Sequence, residues 1–292
     1  MTTFGFECEF QTNAEALAPR LYNINLAGAD RMHSYHCDCE TCQYIYPETA
    51  WPLRMQTDSS CSGEVISRPY QFRDEEDDWT DLLSQLADAA VDVDAEPGLD
   101  AGFHVHVGNG RASVVRKARA FYAFLLWEET LVRIASGRFP RLREANRTVG
   151  DSLFWVAKDR RYLVVEDDRT RLPFWPEYEQ EMAEELWGEH SENDRHSNLN
   201  LSTRHAGFEV RLWNSTRAAW RMELWIRLSV AFARPSFVDH LLSSTPARHD
   251  GDFVTIAEAL ALDDQRAVSL LMRQAHYLHH RVHLAPSVLS VA

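Results

Sequence analysis

Four short segments of this chain alternate apolar and polar residues, and their polar positions carry ligand-type side chains rather than ordinary surface groups. In a strand, residues i and i+2 share a face. In FGFECEF, Phe4, Phe6, Cys8 and Phe10 lie on one face, opposite Gly5, Glu7 and Glu9. In GFHVHV, Phe103, Val105 and Val107 oppose Gly102, His104 and His106. In NLNLST, Leu199 and Leu201 oppose Asn198, Asn200 and Ser202. In GFEVRL, Phe208, Val210 and Leu212 oppose Gly207, Glu209 and Arg211. Each segment alone reads as a strand with one face on a core and one in water. Together the polar positions read Glu-x-Glu, His-x-His, Asn-x-Asn and Glu-x-Arg. A face of carboxylates and imidazoles is costly unless cations occupy it. Glycine takes the first polar-side position in three of the four segments (Gly5, Gly102 and Gly207), which lets a backbone or a ligand come close.

A fifth segment, TDSSCSGEVISRP, places Asp58, Ser60, Ser62 and Glu64 on one face if it stays extended, with Gly63 able to introduce a bulge. The carboxylates of the face are then Glu7, Glu9, Asp58, Glu64 and Glu209. Hard oxygen ligands of this kind suit Mg²⁺ or Mn²⁺.

Between these strands the pattern predicts helices over about 79–91, 113–135, 217–242 and 254–282. The middle, 140–188, is mixed and rich in Arg, Trp and Pro. Strands with interspersed helices and a helical C-terminal part, 217–285, predict an α+β fold rather than a doubly wound parallel sheet. The acidic run Asp74–Asp78 sits where negative charge favours a helix N-terminus.

A formal charge of −14 repels a polyanionic backbone, so no nucleic-acid partner is expected. No stretch approaches the roughly 20 apolar residues of a membrane span, and no membrane association is expected. The N-terminal MTTFGFECEF has neither a basic region nor an apolar signal core, and the reading is cytoplasmic.

The segment HSYHCDCETC gathers His33, His36, Cys37, Cys39 and Cys42 within ten residues. Three thiolates and one imidazole make a tetrahedral Zn²⁺ site, with His33 and His36 competing for the fourth position. The expectation is a small structural zinc loop, 30–50, inserted beside the polar face.

FGFECEF, DSSCSGEVISRP, GFHVHVG and NLNLSTRHAGFEVRLWNST, in that order, resemble the amidoligase family, which looks like a branch of the glutamine synthetase and carboxylate–amine ligase superfamily. The matched motifs span about Phe4 to Thr216. The resemblance implies one catalytic domain over 1–292, built on a curved antiparallel sheet of glutamine synthetase type with flanking helices. Its concave face would carry ATP and two or three divalent metals. Carried over by position, Glu9, Asp58 and Glu64 form one metal site, and Glu7, one of His104 and His106, and Glu209 form a second. Arg211 holds the transferring phosphoryl group, beside Glu209 and Glu64 as catalytic residues. Asp58 stands where the synthetases have a glutamate, and no match exists for their ammonium-binding loop or nucleotide-base contacts.

The implied reaction is ATP-dependent amide-bond formation through an acyl phosphate, between small-molecule or peptide carboxylates and amines, in a chain that can oligomerise. Arg204, Arg195 and Lys158 are further candidates for phosphate or carboxylate contacts, and Asn198 and Asn200 for orienting substrate. Three readings compete: a metal-dependent amide hydrolase, a guanidino kinase-like phosphotransferase, and a non-enzymatic zinc-binding interaction module. The hydrolase barrel would require regular strand–helix alternation, which is missing here.

Overall fold

The alternation at the N-terminus becomes the centre of a sheet. The computed structural model describes residues 2–34, 51–57, 61–98, 101–108, 114–136, 199–200, 207–246 and 251–288. Strand β1 (Thr3–Phe10) buries Phe4, Phe6, Cys8 and Phe10. It pairs antiparallel with β3 (Gly63–Ser67) on one edge and β5 (Gly102–Gly108) on the other. Outward of these lie β2 (Leu53–Gln56) beside β3, and β7 (Gly207–Asn214) then β6 (Leu199–Asn200) beside β5. The antiparallel path is β2-β3-β1-β5-β7-β6, and it does not close.

Strands β2 and β3, close together in the sequence, pair antiparallel, so the chain reverses between them. A third short strand, β4 (Tyr70–Gln71), resumes pairing with the start of β1 after Arg68 and Pro69. Proline has no N–H to give to the ladder, so the pairing breaks there.

Seven helices are seen among the described residues: α1 (Ala14–Asn23), α2 (Glu76–Asp92), α3 (Val114–Ser136), α4 (Ala219–Ala231), α5 (Pro235–Ser243), α6 (Gly251–Ala261) and α7 (Gln265–Val288). The mixture of an antiparallel sheet and helices agrees with the α+β expectation. Helix α1 has no counterpart in the sequence reading, because Pro19 lies inside its ten residues and breaks the pattern. The single helix expected over 217–242 is two. Residue Arg234, preceding Pro235, is held extended (φ −99°, ψ 122°), and Pro235 opens α5. The helix expected over 254–282 also divides, at Leu262–Asp264. The Asp264 carboxylate accepts the Ala267 N–H at 2.9 Å and so caps α7. In α2, Glu76, Asp77 and Asp78 occupy the first turn, where the helix dipole favours them.

Helices pack on the apolar face of the sheet. Phe4 meets Trp79 of α2 edge-on at 5.3 Å, Phe6 stacks on Phe103, and Trp213 of β7 stacks on Trp225 of α4 at 4.8 Å. Helix α4 is buried all round from Met222 to Ala231, which requires its charges to be paired. Arg227 accordingly donates to Glu223, Asp264 and Glu76, joining α4 to α2 and the start of α7. No helix among the described residues is long and apolar enough to cross a membrane.

The polar side of β7 departs from strict alternation. Phe103 of β5 pairs with Trp213 and Val105 with Val210, so β7 spends one residue more than β5 between these pairs. This bulge falls at Arg211 and Leu212. Past the bulge, Trp213 pairs with Phe103 and stacks on Trp225, while Leu212 is buried in the core with Phe208 and Val210 as the alternation predicts.

Candidate active site

Strand register decides which ligand-type side chains meet. Glu7 faces His104 across β1 and β5, and His106 faces Glu209 across β5 and β7. Their side chains share the face opposite the aromatic core. His104 Nδ1 lies 3.1 Å from Glu7 Oε2, and His104 Nε2 lies 3.5 Å from Glu9 Oε1. His106 Nε2 lies 3.0 Å from Glu7 Oε1 and 3.9 Å from Glu209 Oε1. Arg211 Nη1 donates to Glu209 Oε1 at 2.7 Å.

On the other side of β1, Glu9 stands directly opposite Glu64 of β3. The Gly102 N–H donates to Glu9 Oε2 at 2.6 Å, and the Gln56 amide donates to Glu64 Oε1. Neither donor was identified by the sequence reading. Gln56 is signalled in part, as a polar residue sharing the parity of Arg54 on β2, although its meeting with Glu64 depends on the register of β2 and β3. The Gly102 amide is not, because a backbone donor has no side-chain signature.

The face is buried unevenly. Glu9, Glu64, His104 and Glu209 are each at most 5% exposed, whereas the side chains of Glu7 and His106 keep 23% and 35%. The open part of the cluster is thus at Glu7 and His106. Burial disfavours the Glu7 carboxylate, yet His106 and His104 beside it hold its carboxyl well below the usual range. Burial likewise disfavours a charged His106, but the carboxylates of Glu7 and Glu209 prevail and push its pKa up to about 9.

Glu7, His106 and Glu209 each offer one ligand atom, and the three atoms lie within 4.8 Å of one another. Adjacent ligands of an octahedral ion with bonds of 2.0–2.1 Å stand about 3 Å apart, so the spacing needs only small side-chain shifts. The donor set, two carboxylates and an imidazole with a second pair of carboxylates beside it, fits Mg²⁺ or Mn²⁺. Of the two candidate histidines, His106 joins the triplet, and His104 lies between Glu7 and Glu9.

The match covers most of the chain. The model of a family described as "Putative amidoligase enzyme" matches residues 1–233. The chain belongs to the amidoligase family. A search of the curated proteins finds no match. The amidoligase match takes in every strand among the described residues and ends just after α4, so α5, α6 and α7 lie beyond it.

Other expected site residues are placed in part or not at all. Asp58, Lys158, Arg195, Asn198 and Arg204 lie outside the described residues, and of Asn200 only the backbone is described, paired with Glu209. Of the zinc set, His36, Cys37, Cys39 and Cys42 lie outside them as well. His33 is described: it is buried, and its backbone is tied to β2 through Met55 and Thr57. Burial, with Arg31 and Arg54 nearby, lowers its pKa, which favours the neutral imidazole a metal would need. The glycine expectation is met by backbone at one strand. A side chain at Gly207 would run into the carbonyl of Val107, so only glycine lets β7 close on β5 there.

Proposed function

We propose that this amidoligase-family protein is an ATP-dependent carboxylate–amine ligase that works through an acyl phosphate. The observation that carries the reading is the meeting of Glu7, His106 and Glu209 on one face, with Glu9 opposite Glu64 and Arg211 at its edge. The glutamine synthetase-type sheet, the single catalytic domain and the zinc loop belong to the same reading.

A carboxylate does not condense with an amine at neutral pH, because its leaving group is poor. In the proposed reaction a substrate carboxylate oxygen attacks the γ-phosphorus of ATP, the bond to the bridging oxygen breaks, and ADP leaves. The amine then attacks the acyl carbon, the carbon–oxygen bond to phosphate breaks, and the amine proton passes to solvent. Little covalent chemistry falls to the protein, which positions reactants and balances charge. Glu7, His106 and Glu209 would hold one divalent ion, and Glu9 and Glu64, with Asp58, another. Bound there, such ions neutralise phosphate charge. Arg211 offers a planar, permanently charged fork at the edge of the cluster, suited to the transferring phosphoryl group. The Gly102 amide and Gln56 fix the Glu9 and Glu64 carboxylates. His104, between Glu7 and Glu9, keeps the two carboxylate groups in fixed relation.

The test is ATP consumption by the purified protein with Mg²⁺ or Mn²⁺, over mixtures of amino acids and small peptides, with mass spectrometry of the products. ADP, phosphate and a product one water lighter than its two substrates are expected. A phosphorylated substrate as end product would instead indicate a phosphotransferase. Amide cleavage without ATP would indicate a hydrolase.

A further inference from the structure

A second feature lies on the helical side of the molecule, away from the carboxylate face. Helices α2, α4 and α7 enclose an open cleft of about 540 Å³, lined by Thr80, Asp81, Ser84, Trp220, Arg266 and Arg273 among others. Its α7 wall lies beyond the part of the chain matched by the amidoligase family.

The charges that line the cleft are not all satisfied. Glu223 at its base is buried and fully engaged. Arg266 holds it with two parallel hydrogen bonds of 2.9 and 2.8 Å, and Arg227 takes it from the other side. Arg227 is paired with Asp264 and Glu76 as well, so these charges are all engaged, leaving Asp81 on one wall and Arg273 on the other. The Arg273 guanidinium lies over the Trp220 indole at 4.4 Å and has no carboxylate partner among the described residues. Trp220 is braced edge-on by Tyr277 at 6.1 Å. A stacked guanidinium loses little further freedom on binding, and its edge N–H groups stay free to grip an oxyanion.

The α2 wall has the opposite character. Thr80 and Ser84 spend their hydroxyl protons on the helix carbonyls of Glu76 and Thr80, so their oxygens face outward only as acceptors. Asp81 takes one hydrogen bond from Gln85, at 2.6 Å, on Oδ2, and its Oδ1 accepts nothing from its own helix. One wall therefore accepts and the other donates. Anions alone would meet Asp81, and cations alone would meet Arg273.

We infer that this cleft is a second binding site, for a small zwitterion such as a free amino acid or a dipeptide, with its ammonium on Asp81 and its carboxylate on Arg273. The volume of the cleft leaves room for a side chain along Trp220. The site is independent of the proposed ligation and can be tested without turnover.

Isothermal titration of the full-length protein, without ATP or metal, tests it with leucine, phenylalanine, lysine, glutamate and alanyl-alanine. Each is compared with its N-acetylated and C-amidated forms. Saturable binding of at least one zwitterion is expected, weakened at least tenfold by either blocking group. Arg273→Gln and Asp81→Asn should each weaken it at least tenfold, and both positions are exposed, so folding is retained. Glu209→Gln, on the opposite face, should leave it unchanged. Binding that survives both cleft variants and is lost in Glu209→Gln would overturn the assignment, as would no saturable binding of any of the five probes.

Discussion

Glu9 and Glu64 face each other directly across the β1–β3 pair, both buried and both carboxylates. Like charges in directly opposed strand positions are destabilising, by an amount of the same order as the roughly 0.2–1 kcal/mol of a favourable cross-strand pair. One is steadied by the Gly102 N–H and the other by Gln56, but neither donor carries a positive charge. A cation bound between them would relieve this repulsion. In EDTA, Glu64→Gln should be as stable as the native chain or up to about 1 kcal/mol more stable, because it removes the repulsion. With Mn²⁺ at a hundredfold over its Kd, the native protein should gain about 2.7 kcal/mol. The variant should gain clearly less. Thermal unfolding with EDTA and with Mn²⁺ measures both, and an equal Mn²⁺ shift in the two proteins would sink the idea.

The second carboxylate group is proton-coupled. In the metal-free protein the His106 pKa is raised to about 9, so its ion pair with Glu7 contributes stability that is fully present below about pH 6.5 and is lost as the pH rises through 9. Glu7, held low, contributes above its ordinary range and loses its contribution as the pH falls through its depressed value. A divalent ion must displace the His106 proton to use Nε2. Mn²⁺ affinity at this site should therefore rise by about tenfold per pH unit between pH 7 and 9 and flatten above 9. His106→Gln should remove most of that slope. Titration calorimetry in buffers of different ionisation heat gives the proton count. Release of no proton at pH 7.5 would count against His106 as a ligand.

How much of this was legible before folding depends on range. The faces of β1 and β5 could be read from alternation alone, because Glu7, Glu9, His104 and His106 sit in regular strands over an aromatic core. Which carboxylate meets which histidine could not, since that depends on inter-strand register. The bulge at Arg211 and Leu212 was hidden too. Only the two adjacent apolar residues Leu212 and Trp213, both buried, break the alternation there. Pro235 marks the boundary of α4 and α5 in the sequence itself, whereas Pro19 conceals α1. Asp81 and Arg273 carry no local motif at all, because their cleft exists only once α2 and α7 flank α4.

Arg211 tests the chemistry apart from the metals. It sits on the bulge, with its Nη1 on Glu209 and the side chain 24% exposed. Arg211→Lys keeps a cation for the buried Glu209 but loses the planar fork. Removing a preorganised donor of this kind typically costs about 10²–10³ in kcat. ATP-dependent product formation should fall by that order in Arg211→Lys, with the circular dichroism spectrum and Mn²⁺ binding retained. Native turnover in a folded Arg211→Lys protein would remove the residue from the proposed mechanism.

Gly207 tests whether the sheet itself sets the site. It begins β7 opposite Gly108, two residues before Glu209, and a Cβ there would collide with the Val107 carbonyl oxygen. The obstacle is backbone, so relief requires β7 to move away from β5. That movement also separates Glu209 from His106, its partner in register. Gly207→Ala should cost about 1–3 kcal/mol in stability, the usual range for overpacking. It should also weaken Mn²⁺ binding, although it touches no ligand. Gly5→Ala is the control. It lies on β1 beside the same cluster, yet an added Cβ there would come no closer than 3.6 Å to any heavy atom, the nearest being Ser67 Oγ. Urea unfolding and Mn²⁺ titration of both variants separate the cases. If Gly207→Ala lost stability but bound Mn²⁺ with native affinity, the β5–β7 spacing would be a matter of folding alone, and the cation cluster would tolerate a displaced Glu209.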